Sequence, residues 1–140
     1  MKREGIYYIK LKKPYFDLSK GDLLYIGKGN DVDSRLKAEL GLKSSHATFF
    51  RSLGLLLNKE VAENSGKKGT GYNFKFKKPH EIVKWIEEYV EHEVKYCKWR
   101  EVEEKEIRKH KPLLNIVYNT QHCHSELTSL RKQAHEIAKK

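Results

Sequence analysis

The chain of 140 residues holds two cysteines, one methionine and three prolines, and no apolar run in it approaches the ~20 residues that a membrane span needs. Each scarcity excludes something. Cys97 and Cys123 stand far apart and imply no disulfide framework; they read as one small buried hydrophobe, within a strand-like run, and one near-surface thiol. The opening Met1-Lys2-Arg3-Glu4 leads straight into a strand-like segment with no signal-peptide core, so a cytoplasmic protein without a membrane partner is expected. The "GKGN" stretch at 27–30 completes neither the Walker nor the dinucleotide fingerprint, and no nucleotide cofactor is expected.

What the chain has in excess is positive charge. Twenty-nine Lys and Arg stand against 19 Asp and Glu, a formal charge of +10 with a pI near 9.5, which is the electrostatic footprint of a protein that meets phosphate backbones. The mean hydropathy of −0.79 is low, yet 8 Tyr, 5 Phe and 2 Trp supply enough large side chains to order a core. The length suits one compact domain over 1–140.

Residues 5–11 and 22–27, rich in Ile, Leu and Tyr, read as antiparallel neighbouring strands across a loop containing Pro14 and Gly21. Alternation places Tyr7, Ile9 and Leu11 on one face and Ile6 and Tyr8 on the other; because both faces are apolar, helices should cover the sheet on both sides. Asp31 or Asp33 can cap a helix from Ser34 to about Leu40, and Ser44 or Ser45 a second one carrying Phe49, Phe50, Leu53, Leu56 and Leu57. A strand-helix insert is expected at about 60–91: a basic loop around Gly66–Gly69, a short strand "YNFKF" at 72–76, and a helix begun by Pro79 with Ile82, Val83, Trp85, Ile86, Tyr89 and Val90 as its stripe. A strand at 93–99, a charged helix from Glu101 to His110 stopped at Lys111-Pro112, and a last helix at about 125–139 complete the reading. The fold class is therefore α/β (α+β): a small, mainly antiparallel central sheet flanked by about five helices.

"GIY" at 5–7, "YIG" at 25–27, Arg35 on the following helix, Glu104 on a later helix and "KPLLN" at 111–115 stand in an order that resembles the GIY-YIG nuclease superfamily. Glu104, Pro112 and Asn115 match the family's spacing, which selects Glu104 over Glu101, Glu103 and Glu106. The likeness extends to "SSHATFFRSLGLLL", "EIVKWIEEYV" and "LTSLRKQA", segments similar to those of small stand-alone members.

The resemblance implies a metal-dependent DNA endonuclease. Glu104 would be the hard oxygen ligand of a single Mg²⁺ or Mn²⁺. Tyr7 would contact or deprotonate the attacking water, which for a phenol of ordinary pKa ~10 requires nearby positive charge, from Lys28 or Arg35. Arg35, with its fork of donors, would clamp the phosphate; Tyr25 would donate to phosphate or water; Asn115 would support Glu104 or the sheet end; and His46 stands where some members carry a histidine that assists the water. Lys28, Lys67, Lys68, Lys75 and Lys77 would line a DNA-contacting ridge. Biological role, restriction or repair among others, and the choice between monomer and homodimer stay open.

Residue by residue, blander readings compete. Tyr7 and Tyr25 taken alone are core aromatics at strand ends, and Glu104 is one acid in the solvated run "REVEEKE". Tyr8, opposite Tyr7, reads as packing. The "QHCHSE" stretch at 121–126 holds zinc-competent side chains, but contiguous ligands do not close a tetrahedral site unaided, and it reads as a loop approaching the last helix. A fold that binds nucleic acid without cutting it is the alternative reading of the whole chain.

Overall fold

A computed structural model describes residues 2–16, 18–42, 48–62, 75–115, 132–134 and 136. Three strands, β1 (Gly5–Leu11), β2 (Leu23–Gly29) and β3 (Val90–Tyr96), form an antiparallel sheet in the order β2-β1-β3. Among the described residues four full helices surround it: α1 (Val32–Glu39), α2 (Thr48–Leu56), α3 (Pro79–Tyr89) and α4 (Trp99–His110). Among the described residues no helix is long and apolar enough to cross a membrane.

The alternation in β1 sets the layers. Tyr7 pairs with Gly27 and Val94, and Ile9 with Tyr25 and His92, so these residues share a face. That face carries the main core, in which Tyr7, Ile9 and Leu11 are buried with Val32 and Leu36 of α1, Phe49, Phe50 and Leu53 of α2, and Ile82 and Ile86 of α3. On the opposite face Tyr8 pairs across to Ile26, and the Tyr8 hydroxyl donates to Glu106 Oε1 of α4 at 2.5 Å. Ile6, Ile26 and Ile107 are buried there. The helical cover on both faces is what the two-sided apolar pattern of β1 calls for.

Element ends differ from the sequence reading by a few residues, each for a local reason. The third strand starts at Val90 and stops at Tyr96, not 93–99, because its register is set by β1 (Leu11 with Val90, Gly5 with Tyr96); as a mostly exposed edge strand it shows no apolar run to mark its limits. Trp99 opens α4 instead of closing the strand. Asp31 is the cap that α1 uses, its Oδ1 accepting from the Ser34 N–H at 3.4 Å. Of the expected strand at 72–76, Phe76 forms an isolated bridge with Val61 and Lys75 is described; 72–74 lie outside the described residues. Of the last helix only 132–134 and 136 are described, with Ala134 buried in the core. Cys97 is half-buried, not a core residue, and Cys123 and the "QHCHSE" stretch lie outside the described residues.

The free edge of β2 is closed by the segment after α4. Lys111 takes a left-handed conformation at the helix end, φ 48°, immediately before Pro112. The chain then runs alongside β2: the Leu113 and Leu114 N–H groups donate to Leu23 and Leu24 carbonyls at 3.2 and 2.8 Å. Asn115 finishes the edge with its side chain, Oδ1 accepting from Ile26 N–H and Nδ2 donating to Ile26 C=O, both at 2.8 Å and buried. Of its two expected roles, Asn115 is seen in the one at the sheet. Asn115→Ala leaves two buried backbone groups unpaired and is expected to lower unfolding stability by about 2–5 kcal/mol; urea unfolding measures it, and a loss under about 0.5 kcal/mol, within the range of an ordinary surface change, would show the edge to be held by Leu113 and Leu114 alone.

Candidate active site

The glycines of the two tyrosine motifs are required by contact. A Cβ on Gly5 would stand 2.3 Å from the Lys95 carbonyl of β3, and one on Gly27 would stand 2.0 Å from Tyr7 Cζ and 2.1 Å from its Oη. The hydroxyl end of the Tyr7 ring therefore lies across Gly27 on the neighbouring strand, where only a hydrogen leaves it room. Tyr25, one cross-strand position away, lies with its ring 6.3 Å from that of Tyr7 and 5.6 Å from Phe49.

Helix α1 brings charge to this tyrosine pair. Its core stripe is Val32, Leu36 and, one turn on, Glu39, which is wholly buried. The Tyr7 hydroxyl donates to Glu39 Oε2, while Glu39 Oε1 accepts from the Phe49 N–H of α2 at 3.1 Å. Arg35 lies one turn before Glu39, its guanidinium hydrogen-bonded to Tyr7 and within reach of Glu39 and Tyr25. Burial works against the Arg35 charge, but Glu39 and the two tyrosines outweigh it and hold the side chain firmly cationic.

Tyr7 itself is not predisposed to ionise. Burial first, then Glu39, Tyr25 and the hydrogen bond to Glu39, push its phenol far above the ordinary value, and Arg35 opposes them only in part. The expectation of a phenol tuned toward phenolate by nearby positive charge is thereby corrected: a buried carboxylate, which composition and motif do not announce, stands at its hydroxyl. Glu39 is the residue that sequence reasoning missed. Its signal was positional, an acid on the apolar stripe Val32–Leu36 of a helix whose other acid, Asp33, faces outward.

The opposite side of the same sheet end carries a second cluster. Lys28, next to Gly27, extends its ammonium over the Trp99 ring at 4.1 Å and toward Glu103 Oε1 at 3.8 Å. Trp99 also donates from Nε1 to Asn30 Oδ1 at 2.9 Å, which ties the first turn of α4 to the loop after β2. Glu103 and Glu106 point to the sheet, with side chains 17% exposed. Glu104, selected by spacing, is 54% exposed and pairs with Arg108 one turn on, at 3.0 Å. Successive helical residues differ by about 100° in direction, so the stripe that delivers Trp99, Glu103 and Ile107 to the sheet turns Glu104 away.

Tyr7, Tyr25 and Arg35 are thus brought together; Lys28 stands at the same strand end on the opposite face of the sheet, and Asn115 holds β2, the strand that carries Tyr25 and Lys28. Lys75 and Lys77 belong to another region, where Lys77 pairs with Glu60 at 3.2 Å, beside Lys59 and Glu81, also 3.2 Å apart. His46, Lys67 and Lys68 lie outside the described residues. Gly27→Ala is expected to cost about 1–3 kcal/mol by overpacking and to displace the Tyr7 hydroxyl from Glu39. Urea unfolding beside a nuclease assay checks both; unchanged stability and activity would mean that the ring has space to retreat.

Comparison with curated proteins and with solved structures finds no match. A family model described as the GIY-YIG catalytic domain matches residues 5–133, from the first motif glycine almost to the chain end. That span includes both tyrosine strands, α1 with Arg35 and Glu39, and α4 with its acids, and the α+β fold with a small antiparallel sheet is the one the motifs implied. The chain belongs to the GIY-YIG catalytic-domain family, and its function is of nuclease type.

Proposed function

We propose that the protein is a metal-dependent DNA endonuclease that hydrolyses phosphodiesters at the strand end formed by Tyr7, Tyr25, Gly27 and Lys28. The observation that carries this reading is the convergence on Tyr7 of Arg35 and Glu39 from α1 and Tyr25 from β2. Arg35 is a rim cation with a planar fork of donors, suited to the nonbridging oxygens of a phosphate on which charge builds during attack. Tyr25 adds a phenolic donor, and Lys28 adds a second cation one residue past Gly27. The net charge of +10 draws a polyanion to the surface.

A divalent ion fits the donor chemistry on α4. Among the described residues no cluster of three or more His, Cys, Asp or Glu forms a protein cage. A lone carboxylate, with water and substrate phosphate as the other ligands, is how magnesium-type ions are commonly held. Bound there, such an ion would polarise the phosphate and stabilise the leaving oxygen. Glu103 suits this role better than Glu104, because it is the acid that α4 turns toward Lys28 at the sheet end. In the surrounding steps Arg35 and Lys28 bind and orient the phosphate, and Tyr7 holds the water by an oxygen lone pair while its own proton points to Glu39.

Supercoiled plasmid, linear duplex, single-stranded and branched DNA, each with Mg²⁺ or Mn²⁺, provide the test. Nicking or cleavage of at least one is expected, with Arg35→Ala slower by about 100- to 1000-fold and Glu103→Gln more damaging than Glu104→Gln. The reverse ranking would return the metal to Glu104. Tight DNA binding without cleavage under any of these conditions would favour a non-cutting nucleic-acid module.

A further inference from the structure

We propose that Glu39 is a positioning residue that takes the proton of Tyr7, so that water is activated by a relay through the phenol to a buried carboxylate. The inference rests on the nuclease reading and adds to it the group on which the proton comes to rest. Its ground is geometric. Glu39 is wholly enclosed, and its two oxygens have two separate tasks: Oε1 accepts the Phe49 N–H at the start of α2, and Oε2 accepts the Tyr7 hydroxyl. The groups that face it are Tyr7 from β1, Tyr25 from β2 by way of Tyr7, Arg35 on its own helix, and the Phe49 N–H and Arg51 of α2. Among these described groups there is no other acid.

A buried ion pair that served stability alone would be replaced at little cost, and often with gain, by apolar groups. This carboxylate is instead joined by a hydrogen bond to the tyrosine of the first motif, whose hydroxyl it orients. With its own proton directed at Glu39, Tyr7 presents its lone-pair side to the Arg35 guanidinium, and a phosphate held by that guanidinium would bring its water to the same side. The step balances. As the water O–H bond breaks, its proton joins Tyr7 Oη while the Tyr7 proton passes to Glu39 Oε2; the hydroxide forms the new P–O bond, and the P–O bond to the leaving oxygen breaks. That oxygen takes a proton from solvent, and Glu39 later returns its proton to solvent through Tyr7. Tyr7 is a neutral phenol before and after, which agrees with its reluctance to ionise.

Burial raises the Glu39 pKa above the ordinary carboxylate value, against the pull of Tyr7, Arg35, the Phe49 N–H and Arg51. A carboxylate of raised pKa is a stronger base, nearer the working pH of a general acid–base group. The same shift has a sign in stability. A group whose pKa rises on folding contributes stability that is full below its unfolded pKa and is lost as pH climbs through the folded one. The difference in Tm between wild type and Glu39→Gln should therefore fall across that window, independently of any assay for cleavage.

The experiment pairs single-turnover cleavage of the best DNA substrate, as a function of pH, with DNA binding and thermal unfolding for wild type, Glu39→Gln and Tyr7→Phe. Expected for Glu39→Gln are DNA affinity within a factor of two or so of wild type, a rate lower by about 10²- to 10⁴-fold, and loss of the acidic limb of the rate profile. Tyr7→Phe, which keeps Glu39 but cuts the link, is expected to lose the same limb and decides the matter if Glu39→Gln does not fold. Either variant cutting at the wild-type rate with the limb intact overturns the relay and leaves Glu39 a cap for α2, with the nuclease reading untouched. A wild type that cuts nothing overturns that reading and the relay with it.

Discussion

The Tyr7 ring lying across Gly27 is the contact on which the site depends. It fixes the β1–β2 register locally, because a one-residue slip would turn Tyr7 to the α4 face and put a larger residue beneath it. It also fixes where the hydroxyl ends: beyond the neighbouring strand, under α1. A helix capped by Asp31 immediately after β2 then delivers Arg35 and Glu39 to that hydroxyl from successive turns. The start of α1 is held in turn from the sheet side, since the Val32 N–H donates to the Arg3 carbonyl at 3.0 Å just before β1.

A three-stranded sheet is narrow, and both its margins are exposed to error. On the β3 side the edge is left largely open and charged, with Glu91, His92, Glu93 and Lys95 exposed, a pattern that discourages pairing with another strand. On the β2 side, where the candidate site stands, charge alone would not hold the strand still. Backbone from Leu113 and Leu114 and the amide of Asn115 close that margin with paired hydrogen bonds. The strand that carries Tyr25, Gly27 and Lys28 is the one that is covered.

Much of this was legible from the residues. The two tyrosine strands, the Pro79 helix and the charged helix before Pro112 follow from composition and breakers, and Tyr7, Tyr25, Arg35 and Asn115 from the order of the motifs. What escaped has physical causes. β3 is an edge strand whose limits come from pairing with β1, a long-range register that local sequence does not encode. Glu103 and Glu104 differ by one residue and about 100° of helix rotation, so a one-position uncertainty in spacing decides which acid meets the sheet. Glu39 was hidden because a charged residue on an apolar stripe is ordinarily assigned to the helix rim; only the phenol and the N–H that reach it from β1 and α2 explain its burial.

A buried anion beside a site for a phosphate raises an electrostatic objection, since like charges repel most where water is excluded. Arg35 answers it. The guanidinium is hydrogen-bonded to Tyr7, and its charge offsets that of the Glu39 carboxylate. When a phosphate arrives on its outer side, the same cation is shared between two anions and stabilises Glu39 less. The proton affinity of Glu39 then rises when substrate is present, which is when a proton has to be accepted. A lysine could supply the charge but not two faces of donors for two anions at once. The position therefore calls for arginine, and the pairing of Arg35 with Glu39 one turn apart makes the basicity of the site respond to what binds it.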